Sequence, residues 1–177
     1  EYFKKKFIFK GSDGKYFKDN DERSMFFCRG VLETVKKLGW MPDIVHCHGW
    51  MTALMPVYLK SVYKNDPHFS NAKIIYAHYK QDEKLKFSKD LPTKLDFDEL
   101  PTGDLNLDGL ADVNKLHEIG IQWSDAVSHG SPEVDESLLE LIKKTDKSVL
   151  EYHDEEQTVE AHQNFYDKVL SENGVLV

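Results

Sequence analysis

The segment 42–54, PDIVHCHGWMTAL, ends an apolar run in two histidines, His46 and His48, followed at once by Gly49 and Trp50. Neutral imidazole donates from one ring nitrogen, accepts at the other and ligates metals, so the pair admits three readings: packed core, metal site or substrate site. Alternate residues of a strand share a face, which puts His46 and His48 on one side and Cys47 on the other. His46, deeper in the run, reads as a buried, hydrogen-bonded residue. A metal centre needs three or four ligands, and His68, His78 and Cys28 show no spacing that would complete one. His78 closes a second apolar run, KIIYAH at 73–78. The stretch 104–115, DLNLDGLADVNK, opens like a calcium loop, but Lys115 stands where a bidentate acid is required. It reads as a turn leading into a helix. Asp19 and Arg23 flank the start of the first predicted helix, where alone they are a cap and a solvated charge.

Such side chains act only if regular elements hold them. Residues 2–17 predict a short extended element turning at Gly11-Ser12-Asp13-Gly14. Asn20 or Asp21 then caps a helix with Met25, Phe26, Val31, Leu32, Val35 and Leu38 on one stripe, Cys28 beside them, ending near Gly39. Strands are predicted at 43–47, 73–78, 125–128 and 148–152. Between them fall helices at 50–63, with Pro56 a kink, at 113–121, and from Ser131 as N-cap with Pro132 in its first turn. An amphipathic helix over 155–172 closes the chain, with Val159, His162, Tyr166 and Val169 in one stripe. The segment 79–108 has little periodicity and turn signals at Pro92, Pro101 and Gly103, so a long mobile loop is expected there. Uniformly apolar strands alternating with helices predict a parallel sheet with helices on both faces. Ligands of such sheets bind beyond the carboxyl ends of the strands, where His48 stands.

Composition narrows the classes. With 177 residues, 40% hydrophobic and 31% charged, the chain has the make-up of one α/β domain with a real core. No apolar run approaches the roughly 18 residues of a membrane span, and the net charge of −8, with lysines interspersed among acids, argues against a nucleic-acid surface. Neither a membrane nor a nucleic-acid partner is expected. Cys28 and Cys47 read as buried free thiols, which points to the cytoplasm. The opening residue, Glu1, is not methionine, and no export signal is evident in the first residues. There is no Gly-rich phosphate loop and no GxSxG elbow.

The segment PDIVHCHGWMTALMPVYLK is very similar to the PDxxHxHDWxTALxPxYL segment of bacterial glycogen synthases and plant starch synthases, the retaining ADP-glucose-dependent glycosyltransferases. YFKDNDERSMFFCRGVLE resembles that family's DNxxRFxFFxRAxLE, IIYAHYK its strand ending in HN, and GIQWSDAVSHGSPEV its GIxxADxVTTVSPxYA. The resemblance covers most of residues 2–135. It implies one Rossmann-like domain over 1–177, the latter part of the N-terminal half of a GT-B architecture. It also implies that His48 is catalytic and touches the donor glucose, with Asp19, His78 and Arg23 as further substrate-binding residues. No cofactor is implied; ADP-glucose is the donor and an α-1,4-glucan the acceptor.

The departures bear on activity. The family's aspartate after the second histidine is Gly49, its HNLxYQG has become HYKQDEK, and the lysine near the end of the helix before GI is replaced by Glu118. Neither the KxGGL loop with its donor-binding lysine nor the second domain with its phosphate-holding arginine and lysine has a counterpart in these 177 residues. Such electrostatic clamps are commonly worth about 3 to 4 kcal/mol each, so little or no activity is expected of this chain by itself. Two readings follow. One is part of the N-terminal catalytic domain of a glycogen or starch synthase, transferring glucose from ADP-glucose to an α-1,4-glucan, with a second protein as one source of the missing half of the cleft. The other is an inactive synthase-like domain that binds glucan or regulates, ending naturally after its closing helix.

Overall fold

In the computed structural model, which describes residues 4, 7–80, 85, 87–107 and 112–172, four parallel strands lie side by side in sequence order. They are β1 (Ile44–His48), β2 (Lys73–His78), β3 (Ala126–His129) and β4 (Val149–Leu150). Among the described residues six α-helices accompany them: α1 (Asn20–Lys37), α2 (Met55–Lys60), α3 (Leu91–Phe97), α4 (Val113–Trp123), α5 (Glu136–Lys143) and α6 (Thr158–Ser171).

The period of two along each strand sorts residues between two cores. Cys47, Ile74, Tyr76 and Val127 pack with Cys28 and Leu32 of α1, Val57 of α2, Leu116 and Ile119 of α4 and Leu138 of α5. Ile75, Ala126 and Leu150 face the other way, onto Phe165 and Val169 of α6. Helices therefore cover both faces of an α/β, Rossmann-like sheet, and α6 is what covers the second. His46 and His48 alternate with Cys47 and so face the α6 side.

Several boundaries differ from the sequence expectations. The 79–108 segment is not structureless where it is described: α3 forms within it, and a 3-10 turn follows at Thr102–Asp104. Its seven residues are too short to show a helical period, but Leu91 and Leu95 are spaced to bury together. Lys94 then pairs with Asp21 and Glu22 of α1 at 2.8 and 2.7 Å, while Asp98 accepts from Arg29 and from the Tyr58 hydroxyl. The expected helix over 50–63 divides into a 3-10 turn (Trp50–Thr52) and α2, and Pro56 starts α2 rather than kinking it, since an N-terminal position needs no N–H. Asp135, not Ser131, caps α5, its carboxylate accepting from Ser137 N at 3.0 Å. The closing helix is three residues shorter at its start than the 155–172 expected. Phe26 and Leu38, assigned to the buried stripe of α1, are largely exposed, whereas Cys28 is fully buried as expected. Lys10 and Tyr16 form an antiparallel bridge around the predicted turn. Part of the calcium-like stretch, 108–111, lies outside the described residues; after it, Asp112 caps α4 through Asn114 N at 3.0 Å.

Candidate functional site

The strand register pairs His48 with Ala77 and His78 with His129, so three histidines reach the same end of the sheet. Beyond that end lies a cleft of about 590 Å³, with Tyr79, His129 and Gly130 on one side and His162, Gln163 and Tyr166 of α6 on the other. His48 opens into it. The Tyr79 hydroxyl sits 2.8 Å from His48 Nδ1 and fixes the ring, and Nε2 makes no hydrogen bond among the described residues. Burial first, and then the neighbouring His162, lower the His48 pKa below its ordinary value, so the ring is neutral at pH 7.

His46 is engaged at both nitrogens, Nδ1 with Tyr166 Oη at 2.8 Å and Nε2 with Ser128 Oγ at 3.0 Å. It joins β1, β3 and α6, and its ring lies 4.1 Å from that of His48 and 5.8 Å from that of His162. Burial, helped by those two histidines, drives its pKa to about 3. His46 is thus a structural post behind the cleft. Among the described residues no three histidine, cysteine or acidic side chains converge as metal ligands.

Of the four residues singled out by resemblance, the structure brings only His48 to the lining of this cleft. His78 is completely buried beside His129 and His117, at ring distances of 4.9 and 6.4 Å. Arg23 is 1% exposed; its Nη2 donates to the Ile8 carbonyl at 2.5 Å and its guanidinium lies 5.2 Å from the Phe17 ring centre. Burial leaves neither of them a surface for a ligand in this conformation. Asp19 immediately precedes α1, and that helix reaches the turn after His48 through Ser24 Oγ, which donates to Met51 O at 2.9 Å. Sequence reasoning did not single out Tyr79, which positions His48, nor the α6 wall. The signal for the latter was present in the polar pair His162 and Tyr166 within an otherwise apolar stripe.

A family model described as the starch synthase catalytic domain matches residues 1–150. The chain belongs to this family. A glycogen synthase of Thermotoga petrophila is 38% identical over 122 residues, covering 68% of this chain and 24% of that protein. One from Elusimicrobium minutum is 44% identical over 77 residues, 44% of this chain and 16% of that protein. Among solved structures, the catalytic domain of starch synthase IV from Arabidopsis thaliana, bound to ADP and acarbose, superposes with a TM-score of 0.54 at 21% identity, over 88% of this chain and 30% of that one. The chain spans less than a third of the length of each of these synthases.

Within the family frame the departure at Gly49 acquires a physical reason. Its φ of 71° and ψ of 177° lie in a region that essentially only glycine occupies, and its N–H extends the ladder to Ala77 O at 2.8 Å. Restoring the family's aspartate, Gly49→Asp, is expected to cost about 1–3 kcal/mol of stability, measured by urea denaturation, because the backbone, not the space around it, forbids a side chain there. An unchanged midpoint would show that the loop refolds freely.

Proposed function

We propose that this chain is the sugar-holding part of a retaining glucosyltransferase that moves glucose from ADP-glucose to the non-reducing end of an α-1,4-glucan. The bond from the glucose anomeric carbon to the diphosphate breaks, a bond to the acceptor hydroxyl oxygen forms, and that hydroxyl loses its proton as ADP departs. The observation that carries the reading is His48: a neutral imidazole held by Tyr79, with its Nε2 unpaired among the described residues, at the carboxyl end of a parallel sheet in a chain of the synthase family. Such a nitrogen hydrogen-bonds a sugar hydroxyl without demanding charge. The described cleft lining contains no lysine or arginine. The cations that stabilise the departing diphosphate therefore come from outside it, from another segment or a second protein. Buried free thiols, with Cys28 raised to about 12 by burial, suit a reducing cytoplasm. No described helix is long and apolar enough to cross a membrane.

The test is transfer of labelled glucose from ADP-glucose to a maltooligosaccharide, with calorimetric titration of both ligands. His48→Ala is expected to slow transfer about tenfold or more, as loss of one hydrogen bond to a reacting sugar does. Equal transfer by the variant removes His48 from the site. Glucan binding with no ADP-glucose binding, and no transfer even when the segment or partner that supplies the cations is present, establishes the inactive reading instead.

A further inference from the structure

The α6 helix lies beyond residue 150, where the family match ends, yet it forms one wall of the His48 cleft. Three successive turns contribute: Thr158 and Val159, then His162 and Gln163, then Tyr166 and Asp167. This is the i, i+4 pattern of one helix face. The wall is anchored by Phe165 and Val169 in the second core and by the Tyr166 bond to His46, so its polar groups are held in place rather than floating.

The chemistry of the wall is specific. His162 Nδ1 lies 2.7 Å from the Thr158 carbonyl oxygen, which can only accept, so Nδ1 donates and, in the uncharged tautomer this requires, Nε2 is an acceptor. That Nε2 has no partner among the described residues. Opposite it, His48 becomes a donor at Nε2 when the Tyr79 hydroxyl donates to its Nδ1. A hydrogen-bond donor on the His48 side, for the donor glucose, and an acceptor on the α6 side, for the acceptor sugar, each match sugar hydroxyls, which both donate and accept. Gln163 and Asp167 are exposed one turn apart and extend the row, and Tyr152 offers an exposed ring at the rim. A carboxylate without a compensating lysine or arginine repels a diphosphate. The wall suits a neutral polyhydroxyl ligand.

We propose that α6 forms a subsite for the terminal glucosyl unit of the acceptor glucan, with His162 as hydrogen-bond acceptor and Gln163 and Asp167 binding adjacent hydroxyls. The proposal rests on the reading that this cleft handles glucose. It adds a binding element that the matched region does not contain.

Calorimetric titration of the full chain with maltooligosaccharide and, separately, with ADP-glucose tests it. His162→Ala and the exposed pair Gln163→Ala and Asp167→Asn should each raise the maltooligosaccharide dissociation constant roughly fivefold to tenfold, the equivalent of about one hydrogen bond. ADP-glucose affinity should stay unchanged, and circular dichroism should show an intact fold, which the surface position of the pair favours. If wild type binds the oligosaccharide and the α6 variants bind it equally well, the subsite is refuted, while the transferase reading stands as long as His48→Ala slows transfer. Weakened ADP-glucose binding in the α6 variants refutes the assignment to the acceptor. Wild type that binds no oligosaccharide overturns both.

Discussion

Acidification from pH 6.5 to 4.5 is expected to destabilise the folded chain by up to about 1.4 kcal/mol per pH unit for each of three histidines. Burial lowers His46 and His78 to about 3 and His117 to about 4, with neighbouring histidines adding to the effect on the first two. Above pH 6.5 each is neutral both folded and unfolded, so none affects stability. Below it the unfolded chain takes up protons that the fold refuses, and stability falls until the pH reaches the depressed folded values. His78 has both ring nitrogens buried without a hydrogen bond among the described residues, and His117 has only Nδ1 engaged, with Tyr76 Oη at 2.7 Å. An imidazolium at either place would be a buried charge with no acceptor.

The net charge of −8 works in the opposite direction, since protonation relieves self-repulsion, but surface charges are screened by salt and the buried sites are not. Carboxylates whose values the fold lowers, among them Glu33, Glu133 and Asp66, which Lys36 and the His68 amide hold down to about 2, lose their contribution only as the pH falls towards their unfolded values of about 4, so above pH 5 the histidines set the slope. Urea denaturation followed by circular dichroism at pH 7.5, 6.0 and 5.0 measures the slope, and His78→Phe should make it shallower. A midpoint that does not move between pH 7.5 and 5.0 would mean that the histidines are not buried neutral.

The sheet was legible in the sequence because buried parallel strands are written as short apolar runs, and 73–78 was bounded exactly at Lys73–His78. The side assignment of His46, Cys47 and His48 followed from the period of two alone. What could not be read depends on contacts distant in sequence. Nothing local in 91–97 announces a helix whose order comes from Lys94 meeting Asp21 and Glu22 on α1. Likewise the motif marked His48, but its setting is made by Tyr79, 31 residues on, and by α6, more than 100 residues on. The motif match transfers residue identity and not exposure, and the structure places His78 and Arg23 in buried settings that sequence alone did not indicate.

Gly120→Ala is expected to damage this fold through packing. Inside a helix the change ordinarily stabilises, by about 0.5–1 kcal/mol, through lost backbone freedom in the unfolded chain. Here a Cβ at position 120 would sit 2.7 to 2.8 Å from three carbons of the Tyr76 ring, closer than carbon atoms approach. The ring has nowhere to go. Tyr76 is wholly buried in β2, and its hydroxyl is tied to His117, one turn earlier on the same helix as Gly120. Overpacking of this kind costs about 1–3 kcal/mol or more, which outweighs the helix gain and predicts a thermal midpoint lower by several degrees. Combining Gly120→Ala with Tyr76→Leu should cost less than the two changes added, by about 1 kcal/mol or more, because the smaller side chain vacates the contested space. Strict additivity would show that α4 does not press on the ring. The consequence reaches the cleft, since Tyr76 lies two residues before His78, and a strand forced away from α4 carries Tyr79, the holder of His48, with it.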